Sequence, residues 1–204
     1  MKIVMADRRL ILGYLVAHIL LFFTFKDQNV FWYIFTAAML ILISYSILNE
    51  EFEDKASTFA FFSFGILSGL ALYLVFWAAH LSITELNLPL GKQVASLYRD
   101  FSPNLAWHFI VLIFIIAPGE EIFWRGFIQR RLLRITNVKK SVLISTILYA
   151  SVHFYSGELI LVLAALAAGL AWSSLYAWKR SIPLVVISHI VFDLLLFVFL
   201  PLNS

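Results

Sequence analysis

The sequence predicts an all-α fold, a polytopic transmembrane helical bundle of about seven spans, with six to eight admissible and the N-terminus inside. Three observations predict it. Hydrophobic residues fill 62% of the 204 positions and charged residues only 13%, where an ordinary soluble domain carries about 25% charged residues. The apolar residues are gathered into runs of the length that crosses a hydrocarbon core, about 20 residues on a helix. Basic residues, finally, collect at alternate ends of those runs.

In chain order the expected spans are Arg9–Phe25, Val30–Asn49, Ser57–Leu81, Asn104–Phe123, Ser141–Tyr155, Leu159–Trp178 and Ile182–Leu200. The first has useful spanning length and no small-residue cleavage site, so it is expected to stay as a helix rather than be removed as a signal peptide. Ser82–Pro103 lies between the third and fourth. Its apolar positions Val94, Leu97, Tyr98 and Phe101 fall at helical spacing, which predicts a short interfacial helix. Only Ser156-Gly157-Glu158 separates the fifth span from the sixth, a tight hairpin turn. With no internal repeat and no low-complexity linker, residues 1–204 are expected to form one domain, with 105–200 as its catalytic core.

Twelve of the fifteen lysines and arginines fall on one side of this arrangement. They are Lys2, Arg8, Arg9, Lys55, Arg125, Arg130, Arg131, Arg134, Lys139, Lys140, Lys179 and Arg180, leaving Lys26, Lys92 and Arg99 opposite. The positive-inside rule then gives N-in. The formal charge of +3 is accounted for by this membrane bias and implies no nucleic-acid partner. The acidic stretch Glu50-Glu51-Phe52-Glu53-Asp54 is expected to be a solvated loop on the same side. The absence of cysteine excludes thiol catalysis, disulfides and thiolate metal sites.

The chemistry is concentrated where Ala117-Pro118-Gly119 leads into Glu120-Glu121 and, four residues on, Arg125. Ionisable groups at the hydrocarbon boundary are costly, about 2.5–3.5 kcal/mol each on insertion scales, and by default mark function. On a helix Glu121 and Arg125 stand at i,i+4 and can pair. Glu120 points about 100° away and has no local cation. One carboxylate is held and the other is free to react. Further along, His153 closes Tyr149-Ala150-Ser151-Val152-His153, and His189 and Asp193 stand at i,i+4 on the last span. His18, His80 and His108 are read as packing residues. A carboxylate and an imidazole converging on one water make a general base, and a second imidazole can donate to the oxyanion formed when water attacks an amide carbonyl. The same His, His and Glu set leaves a zinc site open as the less favoured alternative, although no His-Glu-x-x-His helix is present. A non-catalytic membrane binding or immunity protein would keep the same polar cluster for helix packing. A proton-coupled transporter lacks the repeat or broken-helix pair expected of it.

Glu120-Glu121-x-x-x-Arg125, Tyr149-x-x-x-His153 and His189-x-x-x-Asp193 together resemble the CPBP family of intramembrane proteases. That family includes the eukaryotic CAAX prenyl endopeptidase and bacterial bacteriocin-immunity and abortive-infection proteins. The resemblance covers residues 120–193. It implies a helical membrane fold with a conical active-site cavity, in which Glu120 and His153 activate water while His189 and the residue at 193 stabilise the oxyanion. Two positions depart from the pattern. Tyr149 stands where phenylalanine is common, and Asp193 where the prenyl endopeptidases have asparagine. An ionised aspartate accepts hydrogen bonds and cannot donate them, so Asp193 either stays protonated through burial or orients His189 by accepting its N–H, and the second is the favoured expectation. The expected protein is therefore a metal-independent glutamic endopeptidase of a prokaryotic inner membrane, acting on a membrane-associated peptide or protein and needing no cofactor.

Overall fold

Helices account for all the regular structure among the described residues, which in this computed structural model are 7–52, 54 and 56–202. Lys2, Glu53 and Lys55 of the charge pattern lie outside them. In order the helices are α1 (Arg8–Lys26), α2 (Phe31–Asn49), α3 (Thr58–Glu85), α4 (Leu90–Phe101), α5 (Ala106–Ile135), α6 (Val138–Ser151), α7 (Leu159–Lys179) and α8 (Ile182–Phe199). Several start at a side-chain cap that satisfies an orphan amide. Asp7 accepts from the Leu10 amide, Ser57 from Ala60, Asn137 from Lys140 and Ser181 from Leu184.

Six helices are long and apolar enough to cross a membrane, the lower end of the expected range. The expected fifth span, Ser141–Tyr155, is not among them. Its α-helix α6 has 14 residues, about 21 Å at 1.5 Å per residue, and then tightens into a 3-10 turn, Val152–Ser156. Even so, α6 and this turn carry the chain from one end of the bundle to the other. The α6 start follows the arginines that end α5, whereas His153 lies beside Phe25 near the end of α1, with ring centroids 6.2 Å apart. Gly157 then makes the expected hairpin in the left-handed conformation, φ +76°, which a glycine adopts without steric cost.

Between α3 and α8 the contact is made close by Gly65 and Gly69. A Cβ on Gly69 would stand 2.6 Å from the Ser188 carbonyl oxygen, and one on Gly65 2.9 Å from that of Leu184. Small residues four apart are the usual means of bringing two membrane helices into backbone contact. The interfacial helix expected after Ser82 is α4, and it crosses one end of the bundle. Gln93 on α4 accepts from the Ile160 amide (2.9 Å), and Tyr98 donates to the Leu196 carbonyl (2.8 Å).

At the opposite end the acidic loop departs from expectation. Glu50 is buried, not solvated: it lies 2.7 Å from Arg131, 2.6 Å from Arg134 and 3.6 Å from Arg130. Arg131 also holds both oxygens of Asp7, at 2.8 and 2.7 Å, and the Asn49 carbonyl at 2.8 Å. Three guanidiniums at the end of α5 made a carboxylate at the end of α2 worth burying. Glu51 and Phe52 remain exposed. This clamp ties the ends of α1, α2 and α5 together.

Glu50→Ala removes the carboxylate that Arg131 and Arg134 share, leaving Arg131 with Asp7 and the Asn49 carbonyl, and breaking a buried pair typically costs about 3–5 kcal/mol. Thermal unfolding in detergent should show that loss, with Glu51→Ala as a near-silent control. Partial burial raises the Asp7 pKa, but the bonds from Arg131 and the Leu10 amide outweigh it and hold the group below its ordinary 3.8. A depressed carboxyl stabilises above its unfolded pKa and loses that contribution as pH falls through the folded value. Acid titration of Asp7→Asn should therefore lack part of the wild type's loss of stability below about pH 4.

Candidate active site

Glu120 and Glu121 were expected near the end of a span finishing at Phe123. Instead α5 continues to Ile135, and both carboxylates lie at its middle. Pro118 shapes this stretch. It cannot donate to the Phe114 carbonyl and its ring crowds that oxygen. The helix meets the problem with a wider turn, π-helical over Leu112–Ile116, and a second π-helical stretch follows over Ile122–Gln129. Such bulges inside α-helices recur at functional sites. Arg125 and Gln129 follow Glu121 at four-residue spacing, and all three are fully buried.

The expected Glu121–Arg125 pair is present, Nη1 to Oε1 at 3.0 Å, with both side chains wholly inaccessible. Arg125 is enclosed on its other sides by the Gly169 carbonyl at 3.4 Å and by the rings of Tyr149 and Trp172, 4.6 and 5.5 Å from its Cζ. Aromatic faces complement a guanidinium that has no water around it. Glu121 has a second partner that sequence reasoning missed. Its Oε1 accepts from Nδ1 of His189 on α8 at 2.8 Å. This corrects the expectation for Asp193, whose Oδ2 lies 3.6 Å from the other ring nitrogen, Nε2, beyond hydrogen-bonding distance. Glu121, not Asp193, orients the imidazole. The i,i+4 spacing brought Asp193 to the right face of α8, but a carboxylate already fixed by an arginine is the better-placed acceptor.

Glu120 is buried and makes no hydrogen bond among the described residues. Its Oε2 lies 3.6 Å from Nε2 of His189, the same separation as Asp193. Thus Nε2 looks toward two carboxylates without being bound by either. The imidazole itself is stacked on Trp172, centroids 3.8 Å apart and planes 24° apart. Trp172 in turn donates its indole N–H to Ser188 at 3.2 Å. Trp172 carried no site signal of its own. The run of small residues before it, Ala164 to Gly169, was the available clue that α7 approaches α5 and α6 closely.

His153 stands at the start of the 3-10 turn that ends α6. Its Nδ1 lies 3.0 Å from the Tyr149 carbonyl. A carbonyl only accepts, so Nδ1 carries the hydrogen and a neutral ring presents Nε2 as an acceptor. Tyr149 meets His153 edge-on at 4.8 Å and Trp124 at 5.6 Å. Glu120, Glu121, Arg125, His189 and Asp193 therefore form one connected polar group, which His153 joins through Tyr149. No hydrogen bond or ion pair joins His153 to Glu120 among the described residues. Nor do three His, Asp or Glu side chains there form a group that could hold a metal ion.

The remaining histidines pack as expected in two cases. His18 bonds Tyr155 and Ser151 at 2.9 and 3.2 Å, and His108 stacks on Trp32 at 4.7 Å while accepting the Asn104 amide at 3.2 Å. Nδ1 of His80 is buried without a partner among the described residues.

Glu121→Ala and Arg125→Ala should each cost about 3–5 kcal/mol, the usual penalty for stranding one member of a buried pair. The double variant should lose clearly less than the sum of the two. Strict additivity in thermal unfolding would show that the pair carries no coupling energy.

Comparison with known proteins agrees with the motifs. Residues 102–195 match the family described as type II CAAX prenyl endopeptidase, Rce1-like. Against curated proteins and against solved structures the chain finds no match. The matched segment runs from the residue before Pro103 into α8, and it contains every side chain of the polar group. Over residues 102–195 this integral membrane chain is thus similar to the Rce1-like CAAX prenyl endopeptidases, in agreement with the CPBP family that its Glu120, His153 and His189 motifs resemble.

Proposed function

We propose that this protein is an intramembrane glutamic endopeptidase of the CPBP type that hydrolyses a peptide bond of a membrane-associated peptide or protein. One observation carries the reading. Of two adjacent buried carboxylates, Glu121 is bound by Arg125 and His189, while Glu120 is left without a hydrogen bond and faces the same imidazole at 3.6 Å. A buried carboxylate without a bond is expensive to keep. Its retention beside a fixed histidine is the arrangement a general base requires.

In this mechanism Glu120 takes a proton from a water that His153 also holds, through its Nε2 lone pair. The hydroxide so formed attacks the scissile carbonyl carbon. The carbonyl oxygen becomes an oxyanion and accepts a hydrogen bond from Nε2–H of His189, whose ring Glu121 and Trp172 keep in place. Glu120 then returns the proton to the departing amine nitrogen as the C–N bond breaks. Asp193, near Nε2 on the side away from the Glu121 bond, supports the positive form of the ring as the negative charge develops. No metal or cofactor takes part in these steps. The catalytic core is the segment 105–200, the membrane is a prokaryotic inner membrane with the N-terminus inside, and substrates are peptides or sorting tails held at the bilayer.

Glu120→Ala should stay folded and lose at least about 10²–10⁴-fold in rate, the usual contribution of a general base. Turnover of a library of membrane-tethered peptides measures it. Near-wild-type turnover would remove Glu120 from the mechanism and leave the binding or immunity reading.

Chelation tests the mechanism from the other side. Exhaustive treatment should leave proteolysis intact, and Asp193→Asn should keep substantial activity because His189 is oriented by Glu121. If dialysed enzyme is dead and stoichiometric zinc revives it, a metalloprotease mechanism replaces this one.

A further inference from the structure

Behind Trp172, on the side of α3, lies a cleft of about 340 Å³ between α3, α7 and α8. Ser68, Leu72, Trp172, Leu175, Trp178 and Ser188 line it, and none of Glu120, His153, His189 or Asp193 does. We propose that this cleft is a separate site for an acyl chain of a bilayer phospholipid, with the lipid phosphate held at Lys179 and Arg180.

The lining polar groups are turned on one another. Ser68 Oγ lies 2.9 Å from Ser188 Oγ and 2.6 Å from the Phe64 carbonyl, and Ser188 also accepts the Trp172 N–H at 3.2 Å. With those groups satisfied, the surface offered to a ligand is mainly apolar, the exposed Ser174 hydroxyl excepted. All three helices are long and apolar enough to cross a membrane, so the medium outside the cleft is lipid. A gap there leaves wall atoms without dispersion partners unless a chain fills it.

Charge fixes the kind of chain. Trp178, which lines the cleft and is largely exposed, carries the Lys179 ammonium over its ring at 3.7 Å. The same ammonium lies 4.0 Å from the Phe64 ring centroid. Neither Lys179 nor Arg180 makes an ion pair among the described residues. An apolar slot edged by an aromatic ring that carries an ammonium without an ion pair, with a second cation next in the chain, matches a phospholipid, whose chain and phosphate are joined end to end. A substrate tail fits less well. The residues proposed to react lie outside the cleft, and Trp172 stands between it and His189.

The test uses the full chain in vesicles of phosphatidylcholine and phosphatidylglycerol, with and without bromine on the acyl chains. Bromine quenches tryptophan emission on contact. Trp172 and Trp178 are two of six tryptophans, and the difference between wild type and Trp172→Phe isolates the buried one. That component should lose most of its emission in brominated vesicles, while the buried Trp124 retains its own. Ser174→Leu, which fills the cleft, should restore Trp172 emission; Ala171→Leu does the same from the neighbouring position if the first variant fails to reconstitute. Lys179→Gln with Arg180→Gln should reduce phospholipid co-purified with the protein, read by native mass spectrometry. Absence of quenching, quenching that survives both filling variants, or relief of quenching by a prenyl thioether would each overturn the assignment, the last by giving the cleft to substrate. Glu120→Gln should be quenched like wild type, so the result is independent of the protease reading.

Discussion

The bond network of one carboxylate governs the core of this protein. Glu121 is wholly inaccessible, and its Oε1 is shared by Arg125 on its own helix and His189 on α8. Taking a carboxylate and a guanidinium out of water costs several kcal/mol per ion, and the loss is offset only if the geometry is good and the remaining groups are satisfied. The rest of the interior supplies part of that satisfaction, and Glu121 Oε2 and Arg125 Nε stay buried without a hydrogen-bond partner among the described residues. Gly169 allows α7 close enough to give its carbonyl to Arg125, at 3.4 Å, and Tyr149 and Trp172 place ring faces against the guanidinium. A Cβ at 169 would stand 2.9 Å from the Tyr149 ring. Four helices, α5 to α8, are thus fixed around one ion pair, and the fixing of His189 comes with it.

The same network separates the roles of two chemically identical neighbours. Consecutive residues on a helix point about 100° apart, so only one of them can face Arg125. Glu121 takes that position. Glu120 is turned toward Nε2 of His189, where Asp193 provides a second carboxylate and no cation is bonded to it. The environment, not the residue type, binds one group to two partners and leaves the other without a hydrogen bond. Pro118 contributes the wider turn before the pair, and a second wide stretch follows it, so that the segment carrying the two carboxylates is set apart from the ideal helix on either side.

Much of this was legible in the sequence because it depends on local pattern. Apolar runs locate the long helices, and Gly157 marks the hairpin. The i,i+4 spacings of Glu121 with Arg125 and of His189 with Asp193 each put two side chains on one face. What was not legible depends on pairing between distant segments. Phe123 looked like the end of a span because the basic residues begin at Arg125, yet Arg125 and Arg131 are carried on within a buried helix by Glu121, Glu50 and Asp7. Glu50 looked solvated because its loop is acidic, and nothing local shows that three arginines some eighty residues away will meet it. Trp172 looked like any aromatic in a span. His189 had an acceptor one turn away and a better one on another helix.

That last case bears on what an aspartate at 193 does in place of asparagine. If Asp193 held Nδ1, the ring would be turned so that its other nitrogen left the vicinity of Glu120. With Glu121 in that role, Nε2 faces Glu120 and Asp193 at equal distances of 3.6 Å. An amide at 193 could donate a hydrogen bond to a developing oxyanion beside the imidazole, whereas an ionised carboxylate would repel it. Asp193 can therefore contribute only through His189, by favouring a proton on the nitrogen that donates. In the proposed mechanism the direct donor set is then reduced to one imidazole, and its alignment carries more of the stabilisation. The stack with Trp172 and the 2.8 Å bond to Glu121 hold the ring from its face and from its far nitrogen, which leaves Nε2–H aimed at one place. A site with a single aligned donor depends on that alignment more steeply than one with two, and here the alignment is set by side chains from α5 and α7, outside the helix that carries the histidine.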